Sequence, residues 1–159
     1  MIVCSATANA LTPGVLVTVT PWRPAASKEE ILREADFVSL NLRLAPETRG
    51  FLSRRDLGLM KKSAILVNTA RGALVEREAL IDALSTGKLG GAGLDVFHDE
   101  PLKPGDPILA LPNVVLTPHN AGQTPEVIRD GLLRAIENVE NYLAGRPTDL
   151  VVAPVKPRR

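Results

Sequence analysis

The stretch "SAILVNTARGALVE", residues 63–76, decides the fold class of this chain. Its apolar run "AILV", residues 64–67, has the length and bulk of a buried strand. The polar "NTA" follows, and then come Arg71 and Gly72. A helical pattern runs from there over residues 76–86. A buried strand, a turn that carries a charged side chain and a helix are the repeating parts of an α/β fold.

The rest of the chain alternates in the same way. Ser27 and Glu30 have the spacing of a capping box, and Pro125 after Thr124 is a strong helix start. The predicted strands are 15–20, 36–42, 64–70, 92–97 and 113–118, and the predicted helices are 27–34, 53–61, 76–86 and 125–144. Strands that alternate with helices indicate a parallel sheet. We expect an irregular segment at 1–13, one domain over 14–145 and an extended tail at 146–159.

Composition excludes several classes of function. With 159 residues, 45% of them hydrophobic, the chain suits one globular domain with a core. A net charge of +1 gives no reason to expect nucleic acid or an anionic membrane as a partner. No apolar run approaches the roughly 18 residues of a membrane span. The single cysteine, Cys4, cannot form an internal disulfide, so we expect a cytoplasmic protein. No metal site is predicted.

Three charged or titratable residues follow three predicted strands. Arg71, Glu100 and His119 would lie at the carboxyl ends of parallel strands, where such sheets bind ligands. Arginine holds a carboxylate through two hydrogen bonds, and histidine exchanges a proton with a carbonyl oxygen. A nearby carboxylate favours the protonated imidazole. The three residues therefore suit the reduction of a 2-oxo acid, with a hydride supplied by a cofactor.

Each of these residues also has a structural interpretation. A lone arginine after a strand is more often a surface or capping residue, and Glu100 before a proline could be an exposed turn residue. Asp95, inside an apolar strand, is by default a hydrogen-bonded structural carboxylate. We interpret His98 as a solvated loop histidine. The expected meeting of Arg71, Glu100 and His119 at one sheet edge favours a functional site.

Four segments carry a family resemblance: "ADFVSLNLRLAPETRGFL" (35–52), "MKKSAILVNTARGALVEREALIDAL" (60–84), "GGAGLDVFHDEPL" (90–102) and "LPNVVLTPHNAGQT" (111–124). They closely resemble the NAD-binding domain of the D-isomer-specific 2-hydroxyacid dehydrogenases. That family includes phosphoglycerate dehydrogenase, glyoxylate and hydroxypyruvate reductases, and D-lactate dehydrogenase. The similarity runs in order from about residue 13 to residue 147.

The resemblance assigns a role to each residue of the trio. It implies that Arg71 binds the substrate, that His119 is the acid/base and that Glu100 is the partner of His119. A glutamine stands at the Glu100 position in the formate dehydrogenase branch, so the glutamate argues against that branch. Phosphite dehydrogenases share the trio and stay an alternative. The implied substrate is a small 2-oxo or 2-hydroxy acid.

The resemblance also implies residues that contact the cofactor. Asp95 is similar to the carboxylate that approaches the nicotinamide carboxamide, and Thr69 and Ala70 line the same pocket. Pro46 and Thr48, in the "LAPET" loop, resemble the wall on the adenine side. The implied cofactor is NAD. NADP is the alternative, because the strand at 15–20 ends in Thr20, with Arg23 nearby, where the family carries an acidic residue.

The chain departs from the family in one major respect. None of its twelve glycines forms a G-x-G-x-x-G motif, the loop that places a helix N-terminus on the dinucleotide pyrophosphate. The first strand, its glycine turn, its helix and the substrate domain that normally precedes them have no counterpart in the sequence. We therefore expect a Rossmann-like α/β domain with a parallel sheet, truncated at the N-terminus and lacking the first βα unit and its glycine fingerprint.

Three functions follow from these observations. The first is an NAD(P)-dependent 2-hydroxyacid dehydrogenase, of which this chain is the cofactor half. The second is a dinucleotide-binding or interaction module, as the C-terminal-binding-protein corepressors of the family illustrate. The third is a truncated chain that keeps the trio without turnover. Without its first βα unit the sheet would carry helices on one face only, so we expect the bare apolar face to drive homo-oligomer formation.

Overall fold

The structure, a computed structural model, describes residues 2–4 and 27–149. Its described residues contain a five-stranded sheet with the strands in the order β1-β2-β3-β4-β5. Strands β2 to β5 are parallel, and β1 pairs antiparallel with β2. The strands are β1 (Ile2–Cys4), β2 (Phe37–Leu40), β3 (Ile65–Asn68), β4 (Gly91–Leu94) and β5 (Val114–Leu116). The predicted strand at 15–20, with Thr20 and nearby Arg23, lies outside the described residues.

Helices occupy the connections between the parallel strands and follow the last strand. The α-helices are α1 (Lys28–Glu34), α2 (Arg54–Leu57), α3 (Arg77–Ser85) and α4 (Pro125–Leu143). Short 3₁₀ helices are formed by Pro46–Thr48, Gly72–Leu74 and Pro107–Ala110. The alternation of strands and helices predicted from the sequence is therefore confirmed.

The predicted helix starts depend on capping side chains, and these are present. The Ser27 hydroxyl accepts a hydrogen bond from the Glu30 amide at 3.1 Å and begins α1. Ser53 and Asp56 form a reciprocal capping box at the start of α2. Helix α2 is shorter than the predicted 53–61, because the amides that follow Gly58 bond to carbonyls three residues back instead of four.

The helices of the sheet connections lie on one face of the sheet. Alternate residues of the strands are buried there with leucines of all three helices in one hydrophobic cluster. On the strands these residues are Val38, Leu40, Leu66, Ala92 and Leu94, and on the helices they are Leu32, Leu57, Leu80 and Leu84. The prediction that α1, α2 and α3 share a face is therefore confirmed.

The opposite face of the sheet keeps apolar side chains partly exposed. Phe37 is 41% exposed and precedes the buried Val38, and Val115 is 70% exposed between the half-buried Val114 and Leu116. Ile65 and Val67 lie between Phe37 and Val115 in the register and are half-buried. We call Phe37, Ile65, Val67 and Val115, together with Gly93, the open face.

The neighbour of β2 differs from the sequence prediction. The sequence predicted no strand before residue 15, but Ile2–Cys4 pairs with β2 in antiparallel orientation. Residues 2–4 also form a strand within the segment that was expected to be irregular. The physical reason is the unpaired edge of β2: backbone amides and carbonyls of an edge strand need partners, and any extended segment can supply them.

The chain divides into two compact units, Met1–Asn120 and Ala121–Arg159. In the second unit, the Thr124 hydroxyl accepts from the Val127 amide and begins α4. The first residues of the expected extended tail turn back along α4. Thr148 bonds to Asn138 and Asn141, and Asp149 bonds to Arg134. The predicted domain over 14–145 thus includes parts of both units.

The described residues contain neither a candidate membrane span nor a cluster of metal-ligating side chains. No described helix has the length and apolar character that a membrane span requires. Within the same part of the chain, no group of three or more His, Cys, Asp or Glu side chains could hold a metal ion.

Candidate active site

Polar residues of three loops lie at the carboxyl edge of the parallel strands. Arg71 comes three residues after β3, Asp95 comes directly after β4, and His119 comes three residues after β5. Glu100 lies farther along the loop that leaves β4. Because β3, β4 and β5 are parallel, these residues share one edge of the sheet, as the sequence predicted.

The loop that carries Arg71 is held by the side chain of Asn68. This residue ends β3 and is 1% exposed. Its amide nitrogen donates to the Arg71 carbonyl at 2.9 Å, and its amide oxygen accepts from the Ala70 backbone amide at 3.1 Å. The Asn68 carbonyl accepts from the Asp95 amide, so the same residue continues the β3–β4 ladder. Asn68 therefore fixes the backbone on which Arg71 stands.

Gly72 explains why a glycine follows the arginine. A Cβ atom on Gly72 would lie 2.2 Å from the carbonyl carbon of Phe97 and 2.6 Å from the His98 nitrogen. Only a residue without a side chain allows the loop after β3 to approach the loop after β4 so closely. The close approach brings the backbone next to Arg71 against the start of the loop that carries Glu100.

Glu100 and His119 form a direct pair. His119 Nδ1 lies 2.7 Å from Glu100 Oε2, and the other carboxylate oxygen accepts from the Phe97 amide at 2.8 Å. The hydrogen bond from His119 and the one from Phe97 hold the pKa of Glu100 below its usual 4.5, with a further contribution from the charge of Arg71. An ionised carboxylate only accepts, so Nδ1 carries the hydrogen of this bond.

His119 has an unusual backbone, and Asp95 contacts the residues around it. The φ angle of His119 is 54°, in the left-handed region that few residues other than glycine adopt. Asp95 is 3% exposed, and its Oδ1 accepts from the Thr117 hydroxyl at 2.5 Å and from the Asn120 amide at 2.9 Å. Asp95 is thus a buried carboxylate tied to the loop that carries His119.

The remaining predicted residues have less specific surroundings. Pro46 and Thr48 form the short 3₁₀ helix after β2, and the Thr48 hydroxyl donates to the Arg43 carbonyl and accepts from the Ala45 amide, both at 2.8 Å. The Thr48 hydroxyl therefore shapes its own loop. Thr69 is exposed and Ala70 is half-buried beside Arg71.

His98 is an exposed loop residue, as predicted, but its ring also makes a hydrogen bond that the sequence did not predict. Its Nε2 lies 2.8 Å from the Val75 carbonyl oxygen, and since a carbonyl only accepts, Nε2 donates this bond. His98 thus ties the loop after β4 to the segment that precedes α3. The bond was not predictable from the sequence, because it joins residues 23 positions apart.

An open pocket of about 600 Å³ adjoins the Glu100–His119 pair. Both residues line it, and most of the other lining residues are apolar, among them Phe97, Leu109 and Leu116. A mostly apolar pocket with a few convergent polar groups has the usual character of a small-molecule site.

Sequence reasoning missed Asn68 and the function of Gly72 as a spacer. A weak signal existed for Asn68, because an amide side chain that closes an otherwise apolar strand needs hydrogen-bond partners when it is buried. No local signal reveals the close approach at Gly72, which depends on the position of a loop 25 residues away.

The direction of β1 bears on which part of a dinucleotide the carboxyl edge can hold. Thr69, Ala70 and Asp95 follow β3 and β4 at this edge. Ile2 of β1 pairs with Ser39 and Cys4 with Phe37, so β1 starts near this edge and runs away from it. A pyrophosphate is bound where a strand runs toward the edge into a turn and a helix, and β1 does not have that direction.

Comparisons with known proteins agree with the fold. Residues 16–121 match the family "D-isomer specific 2-hydroxyacid dehydrogenase, NAD binding domain". A glyoxylate reductase from Aeropyrum pernix is 47% identical over 126 residues, which cover 79% of this chain and 38% of that protein. A crystal structure of a Thermus thermophilus protein superposes with a TM-score of 0.76 at 50% identity, and the match covers 85% of this chain and 44% of that one.

A structure with bound NAD is also similar. The D-isomer specific 2-hydroxyacid dehydrogenase from Lactobacillus delbrueckii, in its NAD-complexed form, gives a TM-score of 0.73 at 37% identity, over 79% of this chain and 43% of that chain. The chain therefore spans less than half the length of these three relatives. Because the family match covers residues 16–121 of 159, the chain belongs to the D-isomer specific 2-hydroxyacid dehydrogenases and corresponds to their NAD-binding domain.

Proposed function

We propose that this chain provides the cofactor half of an NAD(P)-dependent oxidoreductase that interconverts a 2-hydroxy acid and a 2-oxo acid. The observation that carries the proposal is the His119–Glu100 pair, with a 2.7 Å hydrogen bond, at the same sheet edge as Arg71. The name of the Aeropyrum pernix relative, a glyoxylate reductase, supports a small 2-oxo acid as the substrate.

Each residue of the trio has a distinct task in this proposal. Arg71 holds the substrate carboxylate, because a guanidinium donates two parallel hydrogen bonds to a carboxylate. His119 uses Nδ1 to bond Glu100, so Nε2 is the ring nitrogen that gives a proton to the carbonyl oxygen. Glu100 holds the imidazole in that orientation through the bond to Nδ1.

The cofactor supplies the hydride when it is bound. Asp95, Thr69 and Ala70 are the residues that would hold its nicotinamide end, and Pro46 and Thr48 would flank the adenine side. The solved relative from Lactobacillus delbrueckii contains NAD, which supports NAD as the cofactor. NADP stays the alternative.

A second function is favoured by one observation, the direction of β1. With β1 antiparallel to β2, the described residues offer the pyrophosphate no helix N-terminus beside β2. The chain would then act as a weak dinucleotide-binding or interaction module without turnover. Turnover of the chain itself separates the two functions.

We also propose that the chain forms a homo-oligomer through the open face. Phe37 and Val115 leave apolar surface exposed on β2 and β5, whose other face packs against the hydrophobic cluster. Apolar surface of this kind marks an interaction site in most soluble proteins. The cytoplasm stays the expected location, on the single cysteine alone.

The proposed function is tested by adding glyoxylate to the isotope-labelled chain at millimolar NADH. NMR signals of the Arg71 guanidinium and the His119 ring report binding, and NADH absorbance reports turnover. We expect the NMR signals of Arg71 and His119 to shift when glyoxylate is added. In the Arg71→Ala variant, the His119 signal should no longer shift. Arg55→Ala, at an exposed arginine of α2, is the matched control and should respond as the unmodified chain does. An equal response in the Arg71→Ala variant would contradict the proposed substrate site.

A further inference from the structure

The loop that carries His119 is held in a conformation that its own sequence does not favour. With φ at 54°, His119 is in the left-handed region, where the Cβ atom of an ordinary residue is crowded by the backbone. Its amide donates to the Thr117 carbonyl at 3.0 Å, which closes a tight turn around Pro118. A histidine keeps such a conformation only when its surroundings fix the backbone on both sides.

Asp95 supplies fixed points on both sides of His119. Its Oδ1 accepts from the Thr117 side chain, two residues before the histidine, and from the Asn120 amide, one residue after it. Asp95 itself is 3% exposed, and its amide donates to the Asn68 carbonyl in the β3–β4 ladder, which fixes the backbone that carries the carboxylate. Hydrogen bonds to Asp95 thus connect the turn that follows β5 to the end of β4.

The two carboxylates at this edge act on different parts of the same residue. Glu100 bonds the imidazole ring of His119. Asp95 accepts hydrogen bonds from the Thr117 hydroxyl and the Asn120 backbone amide, on either side of His119. A simple structural account of Asp95 is that a buried carboxylate needs donors. That account does not explain why Thr117 and Asn120, which donate to Oδ1, stand on either side of His119.

We propose that Asp95 is a positioning residue that places the His119 imidazole against Glu100 by clamping Thr117 and Asn120. This inference rests on the proposed function only in that His119 is the proton-transfer group. It gives Asp95 a task in the chain without cofactor, in addition to the nicotinamide contact that the family resemblance implies.

The test removes one donor of the clamp and keeps the carboxylate. Thr117→Val deletes the hydroxyl, and Thr117→Ser retains it. NMR of the labelled chain measures the Nδ1-protonated fraction of the His119 ring and the titration of the Glu100 carboxyl. We expect the valine variant to weaken the His119–Glu100 bond, so that the Nδ1-protonated fraction falls and Glu100 titrates nearer 4.5. The serine variant should restore both signals.

Controls keep the outcome unambiguous. Thr86→Val removes a hydroxyl that bonds the Asp82 carbonyl at the end of α3, far from the edge, and should leave both signals unchanged. If the valine variant does not fold, Thr117→Ala takes its place. Unchanged His119 and Glu100 signals in a folded Thr117 variant would overturn the inference. No substrate or cofactor is added, so this failure is distinguishable from failure of the proposed dehydrogenase function.

Discussion

At the scale of single residues, the Glu100–His119 pair makes the pKa of Glu100 a direct report on the candidate site. The hydrogen bond from His119 is the largest of the influences that lower this pKa below 4.5. We therefore predict that His119→Ala raises the pKa of Glu100 toward 4.5. The stabilisation that Glu100 gains from the pair is present above pH 4.5 and is lost as the pH falls through its lower folded pKa. Carboxyl-detected NMR titration measures the shift.

The matching control replaces the other histidine. His98→Ala removes a ring that bonds the Val75 carbonyl and not Glu100, so the pKa of Glu100 should not change in this variant. An unchanged Glu100 pKa in the His119→Ala variant would mean that the pair does not exist in solution.

Gly72 allows a second prediction at the same scale. A methyl group at this position would meet the Phe97 carbonyl carbon at 2.2 Å, and backbone cannot yield as a flexible side chain does. We expect Gly72→Ala to lower the free energy of unfolding by roughly 1–3 kcal/mol or more, through overpacking. Urea denaturation measures the loss.

Gly93 provides the matched substitution. It lies on the open face of β4, and a Cβ atom there would meet nothing within 4 Å. Gly93→Ala should therefore be tolerated. Equal unfolding free energies for the two alanine variants would show that the loops after β3 and β4 are not in close contact.

At the scale of secondary-structure elements, a partly buried ion pair joins α1 to the start of α2. Lys28 Nζ lies 2.9 Å from Asp56 Oδ2, with side-chain exposures of 27% and 8%, and it also donates to the Phe51 carbonyl. Burial would raise the pKa of Asp56, but the bonds from Ser53 and Lys28 outweigh burial, and the pKa lies below 3.8. The cap of α2 and the position of α1 thus depend on one carboxylate.

Lys28→Met should destabilise the chain because it leaves that carboxylate without its cation. We expect a loss of roughly 1–3 kcal/mol at neutral pH. The difference in unfolding free energy between the Lys28→Met variant and the unmodified chain should decrease below pH 3.8, because Asp56 stabilises the fold only while it is ionised. Lys61→Met, in a pair with Asp36 at 40% and 29% exposure, should cost less than about 1 kcal/mol. A larger loss for Lys61→Met in urea denaturation would contradict this ranking.

Elements with local signals were predictable, and those without were not. Ser27, Thr124 and Gly87 mark helix ends through their own chemistry, so α1, α3 and α4 were found close to their observed bounds. Strand β1 was missed because three residues carry no periodicity, and its reason to exist is the edge of β2, more than 30 residues away. The trio at the carboxyl edge was predictable from strand order, whereas the Asn68, Gly72 and Asp95 contacts depend on tertiary packing.

At the scale of the whole molecule, the open face predicts self-association. A single α-helix covers roughly 10 Å of width, while strands lie about 4.8 Å apart, so one helix cannot cover the sheet. We expect light scattering to show oligomers at high micromolar concentration, and Val115→Lys to shift the chain toward monomer. Leu143→Lys, at the end of α4, is the control and should leave association intact. A monodisperse, cooperatively melting monomer of the unmodified chain would refute association through this face.

Cofactor binding tests the central claim most directly, because the proposed nicotinamide contacts lie at the carboxyl edge while β1 runs away from that edge. The measurement is an amide NMR titration of the labelled chain with NADH. We predict shifts concentrated at Thr69, Ala70, Asp95 and His119, with half-saturation near about 1 mM. Absence of shifts at these residues would contradict a nicotinamide site at this edge. Saturation at low micromolar NADH would contradict the expected weak binding and would require another phosphate-binding site.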